Sequence, residues 1–150
     1  MTLAKGLGGG VPIGAFLAKE PACVFKIGEH GATFGGNPLV CATAFDVLSY
    51  IIWKDLPGHV GRMGEYLRAG LKGMAAEHKV IKEVRGKGLL VALQFNSEIA
   101  EAVVLACLER GIIVNKVKSD VIRFIPPLIV TEKEIDMALG VLGKVLKERQ

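Results

Sequence analysis

The sequence predicts an α/β fold, and three observations predict it. From about residue 80 onward, short strand patterns alternate with helix patterns. Two stripes of apolar residues at helical spacing stand out: Val60, Met63, Leu67, Leu71 and Met74, then Ile135, Ala138, Leu139, Leu142 and Leu146. Finally, 51% of the 150 residues are apolar and 23% are charged, which supplies a core and argues against disorder.

The first 36 residues are rich in glycine and carry no long helical period. Val11 to Ala18 is expected to be a strand buried on both faces, entered through Pro12. A loop leads to His30-Gly31-Ala32-Thr33-Phe34-Gly35-Gly36, and Asn37-Pro38 opens a helix. Asn is a good N-cap, and proline is tolerated at the first helical position because its missing N–H has no partner there. The helix is expected over Pro38–Trp53. It is apolar nearly all round, so burial between layers is expected.

Lys54 to Gly58 is the clearest break, punctuated by Pro57 and Gly58. The helix that follows carries the first apolar stripe, with Arg62, Glu65, Arg68 and Lys72 on its other face. Ile81 to Val84 reads as a strand, Arg85 to Gly88 as a turn and Leu89 to Phe95 as a strand. Ser97 is expected to cap a helix that ends near Arg110, with Gly111 as its C′ stop. Two strands, Ile112 to Val117 and Val121 to Ile125, flank a tight turn at Lys118-Ser119-Asp120. Thr131 and Glu134 form a capping box that opens the last helix. The expected division is residues 1–57, a remnant of a larger sheet domain, and residues 58–150, a small domain able to close its own core.

Charge and cysteine content exclude several function classes. The net charge of +4 is spread along the chain among glutamates, with no basic block that would suit nucleic acid. Uncharged runs such as Val40 to Ile52 are broken by Asp46 or too short to span a bilayer. The N-terminus lacks a signal-peptide pattern, so a cytoplasmic location is expected. Cys23, Cys41 and Cys107 form no ligand pair, so neither zinc nor disulfides are expected. Cys41 and Cys107 lie in apolar helical patterns and read as buried small hydrophobes. His59 and His78 read as helix-surface residues, and no metal set or Ser-His-Asp set is visible.

Three residues are candidates for chemistry. Lys5 stands between an apolar stretch and Gly6-Leu7-Gly8-Gly9-Gly10. A lysine amine is a poor nucleophile near its ordinary pKa of about 10.4, but an apolar site or a nearby cation lowers that value. The plainer reading is a solvated lysine beside a loop. The glycines fit neither a Walker A loop nor a dinucleotide fingerprint, and a tight turn accounts for them. Thr33 precedes a helix N-terminus, where a hydroxyl, backbone N–H groups and the helix dipole suit a phosphate; an ordinary helix-entry loop is the alternative. Arg123 sits in an otherwise apolar strand, Val121-Ile122-Arg123-Phe124-Ile125, followed by Pro126-Pro127. It needs an anionic partner there, either a ligand carboxylate or a structural Asp or Glu.

Four segments, in order, resemble class III (subgroup II) pyridoxal-phosphate aminotransferases over essentially the whole chain. Thr2 to Ala15 resembles the family's cofactor-lysine segment, and His30 to Leu39 its phosphate-contact loop. Arg85-Gly86-Lys87-Gly88-Leu89 and Arg123 to Thr131 resemble two C-terminal motifs. Within the family the wording is most similar to acetylornithine and succinylornithine aminotransferases. The fold implied is the C-terminal part of a fold-type I PLP-dependent transferase: the end of the large domain plus an α+β small domain.

The resemblance also implies roles. Lys5 would bond to pyridoxal 5'-phosphate and shuttle a proton at the substrate carbon. Thr33 would contact the cofactor phosphate from the neighbouring subunit of a homodimer. Arg123 would hold the α-carboxylate of glutamate or 2-oxoglutarate. The reaction implied moves the terminal amine of N-acetylornithine to 2-oxoglutarate, in arginine metabolism. The family's acid for the pyridine nitrogen, its glycine-containing phosphate loop and its ring-stacking aromatic have no counterpart here. The isolated chain is therefore expected to behave as an inactive fragment. The alternatives are a 4-aminobutyrate or ornithine aminotransferase, or a non-catalytic assembly module.

Overall fold

The computed structural model describes residues 1–148. The chain divides into two compact units, Met1–Asp55 and Leu56–Gln150.

In the first unit, strand β1 (Thr2–Leu3) pairs antiparallel with β2 (Ala15–Phe16). A 3-10 turn at Lys5–Gly8 lies between them, and a second turn spans Glu20–Ala22. Helix α1 covers Pro38–Trp53. Its start is set as expected: the Asn37 side-chain oxygen accepts from the Val40 N–H at 3.2 Å, and Pro38 takes the first helical position. Two expectations fail here. Val11 to Ala18 contributes only the two residues of β2, and Phe16 and Leu17 are exposed. Helix α1 buries only Ala44, leaving Phe45, Ile52 and Trp53 exposed. The cause is the same in both cases. A strand or helix is buried by neighbouring layers, and within this unit the only sheet is a two-residue pairing. Cys41 is exposed for that reason, contrary to expectation.

The second unit has its own layers. Helix α2 (Leu56–Glu77) leads into β3 (Ile81–Lys87), β4 (Leu90–Phe95), α3 (Ala100–Glu109), β5 (Asn115–Lys118), β6 (Val121–Phe124) and α4 (Glu132–Lys147). The strands form one antiparallel sheet in the order β3-β4-β6-β5. One face carries Val91, Leu93, Phe95, Ile122 and Phe124 into the core. Met63, Leu67 and Leu71 of α2, Val103 and Cys107 of α3, and Leu142, Val145 and Leu146 of α4 meet them there. Both apolar stripes read from the sequence face this core. At about 25 cal/mol per Å² of apolar surface removed from water, such burial is the main force holding the unit together.

The connections differ from expectation in detail, each for a local reason. Pro57 and Gly58 lie in the first turn of α2, so the break narrows to Lys54–Asp55. Arg85, Gly86 and Lys87 stay in the ladder opposite Ala92, Val91 and Leu90, so the β3-β4 turn is only Gly88-Leu89. Helix α2 passes so close to that turn that a Cβ on Gly64 would run into the Gly88 backbone. Ser97 does not cap α3. The Ala100 N–H instead donates to the Ser119 carbonyl at 3.0 Å, so the neighbouring hairpin finishes the helix start. Ile112 to Val114 is not strand, and β5 begins at Asn115. Gly111 does end α3: at φ +80° its N–H bonds to Leu108 and that of Ile112 to Cys107, a Schellman motif. His78 is buried, not on a helix surface. Its N–H closes the last turn onto Met74 and its carbonyl accepts from Ile81, which draws it inward where α2 meets β3.

Candidate functional site

Lys5 opens the 3-10 turn, with backbone φ +56°. Positive φ is uncommon for a residue with a Cβ, and such strain persists where surrounding structure imposes it. Here successive tight turns impose it. The Leu7 N–H reaches back to the Ala4 carbonyl, that of Gly9 to Gly6 and that of Val11 to Gly8. Gly9 sits against Val47 of α1, where a Cβ would come within 3.0 Å of that side chain. The glycine run is therefore what a tight turn packed on a helix requires, as the plainer reading held. It also has a consequence for Lys5. The residue is exposed, and its amine makes no hydrogen bond or ion pair with any described residue.

Thr33 lies in the exposed turn before α1, and its hydroxyl has no partner among the described residues. The helix end itself is largely spent. Pro38 has no N–H, and the N–H groups of Val40 and Cys41 both go to Asn37. The Asn37 amide in turn donates to the Phe34 carbonyl at 2.8 Å, which ties down the turn. An anion at this loop would therefore rely on the Thr33 hydroxyl more than on the helix terminus. Lys5 and Thr33 share the first unit, and no hydrogen bond joins them.

Arg123 belongs to the second unit. It lies on the sheet face away from the core, in a row with Ala92 of β4 and Asn115 of β5. Its Nη2 donates to Asn115 Oδ1 at 3.1 Å. Its Nε is buried and has no partner. No described carboxylate pairs with it, so the structural ion pair considered from the sequence is absent among the described residues. The acids on that face are already engaged. Asp120 accepts from Gln94 at 2.7 Å, and Glu83 accepts from Arg85 at 2.8 Å while Arg85 also donates to Gln94. A half-buried guanidinium with an open N–H and no counter-charge is a place for a carboxylate.

Sequence reasoning missed Asn115. It falls inside a segment read as continuous strand, and only the β5-β6 register sets it opposite Arg123. A cavity of about 620 Å³ in the second unit is a different feature. It is apolar, is lined by residues such as Ile112, Phe124, Pro126 and Ile135, and touches none of the three candidates. Glu101 is held low by its hydrogen bond from Lys116, Glu134 by that from Thr131, and Tyr66 is raised by its hydrogen bond to Asp136.

The family model described as aminotransferase class-III matches residues 1–146. The acetylornithine aminotransferase of Caldanaerobacter subterraneus subsp. tengcongensis is 53% identical over 148 residues, 99% of this chain and 38% of that protein. Among solved structures, the acetylornithine aminotransferase of Elizabethkingia anophelis superposes with a TM-score of 0.90 at 35% identity, covering 98% of this chain and 38% of that one. The ornithine aminotransferase of Toxoplasma gondii, described as holding PLP at partial occupancy in its active site, also gives 0.90, at 36% identity over 98% of this chain and 36% of that one. The chain thus spans under two fifths of the length of the relatives it matches, and its fold is the corresponding part of theirs.

Proposed function

The chain belongs to the aminotransferase class-III family, and on that footing we propose that it is part of a PLP-dependent acetylornithine-type aminotransferase. The reaction is transfer of the terminal amino group of N-acetylornithine to 2-oxoglutarate, giving glutamate and the corresponding semialdehyde. The single observation that carries the substrate side is Arg123, whose buried Nε lacks a partner and whose charge meets no described carboxylate. Identity to acetylornithine aminotransferases of up to 53% supports the choice of donor.

The residues present fit the cofactor. The unpaired Lys5 amine would hold its carbonyl carbon, and the free Thr33 hydroxyl would donate to its phosphate across a homodimer interface. Bound there, PLP supplies an electron sink for the bonds at the amine-bearing carbon. Lys5 Nζ would take and return the proton at that carbon. Arg123 would fix glutamate or 2-oxoglutarate by its α-carboxylate, so the adjacent carbon that reacts is presented in one orientation. The strained backbone at Lys5 fixes where its side chain leaves the chain, at the start of a tight turn. Ornithine as donor is the second reading, favoured by the equal structural match to the Toxoplasma enzyme.

By itself the 150-residue chain is expected to bind PLP weakly and not to turn over, because it spans only 38% of the first relative's length and Lys5 stands exposed. The test is chemical. PLP is added to the purified chain, fixed with borohydride and located by peptide mapping. Lys5 is expected to carry the label, and Lys5→Ala to abolish it. Label scattered over the other lysines would sink the assignment. Glutamate formed from N-acetylornithine and 2-oxoglutarate by the chain alone would refute its silence.

A further inference from the structure

We propose that Asn115 is a positioning residue for Arg123: it holds one arm of the guanidinium and, being neutral, leaves the positive charge for an external carboxylate. This rests on the reading above that Arg123 receives the α-carboxylate.

The inference comes from what surrounds Arg123. A guanidinium has five N–H donors in a rigid fork, and a carboxylate is best bound when the fork presents two of them side by side. A long side chain that is only half-buried keeps rotamer freedom, and that freedom must be lost on binding. The β5-β6 register puts Asn115 directly opposite Arg123, and its oxygen accepts from Nη2 at 3.1 Å. On the other side the register places Ala92, whose small side chain leaves room. One arm is thereby fixed, while Nε stays buried and open. The identity of the holding group matters as much as its place. An acid at 115 would hold the same arm but would also neutralise it. The structure keeps acids away: Asp120 is paired with Gln94, Glu83 with Arg85, and Glu101 with Lys116. Among the described residues, the hydrogen bond that this guanidinium makes is to an amide oxygen.

Two variants separate orientation from charge. Asn115→Ala removes the hold and keeps the charge free; Asn115→Asp keeps the hold and consumes the charge. Asn115 is exposed on an edge strand, so both variants should fold, which amide NMR dispersion checks. In the 15N-labelled chain, rotation of the Arg123 Nη groups reports the hold, and titration with 2-oxoglutarate reports the carboxylate site. For Asn115→Ala, faster Nη rotation and an affinity weaker by about twofold to tenfold are expected. For Asn115→Asp, rotation as slow as in the parent chain is expected, with affinity down by about tenfold or more. Unchanged rotation in Asn115→Ala, or parent-like affinity in Asn115→Asp, overturns the proposal. If the parent chain shows slow rotation, lost in Asn115→Ala, but no response to 2-oxoglutarate, then Asn115 does hold the arm and it is the carboxylate role of Arg123 that fails.

Discussion

Helices α1 and α4 are each 16 residues long, and each begins on a side-chain cap, Asn37 in one and Thr131 in the other. Yet α1 buries Ala44 alone, whereas α4 buries Ile135, Leu142, Val145 and Leu146. Ile52 on α1 is 74% exposed and Leu142 on α4 is 1% exposed. The difference shows that a cap decides where a helix starts and a layer decides what it is worth. Helix α4 packs with α2 and α3 over a four-stranded sheet, and α1 has no such sheet within its own unit.

The sharpest way to break that comparison is to truncate one apolar side chain in each helix. Leu142→Ala removes a fully buried side chain and is expected to lower stability by about 2–5 kcal/mol. Ile52→Ala removes an exposed side chain of the same size and is expected to stay within about 0.5 kcal/mol. Urea unfolding of the two variants reads both. An equal loss from Ile52→Ala would mean that α1 is covered in solution, and the contrast between the units would collapse.

A pair of glycines sharpens the role of layers further. A Cβ on Gly64 of α2 would meet the Gly88 backbone at the β3-β4 turn, while one on Gly140 of α4 would meet nothing within 4 Å. Gly64→Ala should therefore cost about 1–3 kcal/mol through overpacking. Gly140→Ala should instead stabilise by about 0.5–1 kcal/mol, because alanine has the better helix propensity. Opposite signs in thermal denaturation are the expected result. A neutral Gly64→Ala would show that the helix can move off the turn.

The same distinction explains what was legible in the sequence. Local chemistry was readable: the Asn37 cap, the Thr131–Glu134 box and the Gly111 stop each depend on a few consecutive residues. The apolar stripes of α2 and α4 were readable because their period is helical and their cover lies in the same unit. The burial of Val11 to Ala18 and of Cys41 was inferred from composition, and composition cannot supply a neighbouring layer. Ser97 was misread because the group that completes α3, the Ser119 carbonyl, is remote in sequence. At the candidate site, Lys5, Thr33 and Arg123 were found by residue type and motif. The open Nε of Arg123 and its tie to Asn115 depend on strand register, which no motif displays.

The smallest expected effect compares the two caps themselves. Thr131→Ala should cost roughly 0.5–2 kcal/mol, the usual range for losing such a cap, and Asn37→Ala falls under the same rule. They should differ in pH dependence. Glu134 accepts from the Thr131 hydroxyl at 2.7 Å and from its backbone N–H at 2.8 Å, and the hydroxyl first, then the N–H, holds its carboxyl below the ordinary range. A carboxylate depressed in the folded state adds stability above its unfolded pKa and loses it as pH falls through the folded value. The gap between the parent chain and Thr131→Ala should therefore narrow in acid, below the ordinary Glu range. The Asn37 cap is made to Val40 and Phe34 backbone groups and contains no titrating partner, so its gap should stay level with pH. Helix unfolding followed by circular dichroism across that range decides it. A Thr131→Ala gap that ignores pH would mean that the carboxylate half of the box contributes nothing, leaving the two caps alike and the layers as the whole difference between the helices.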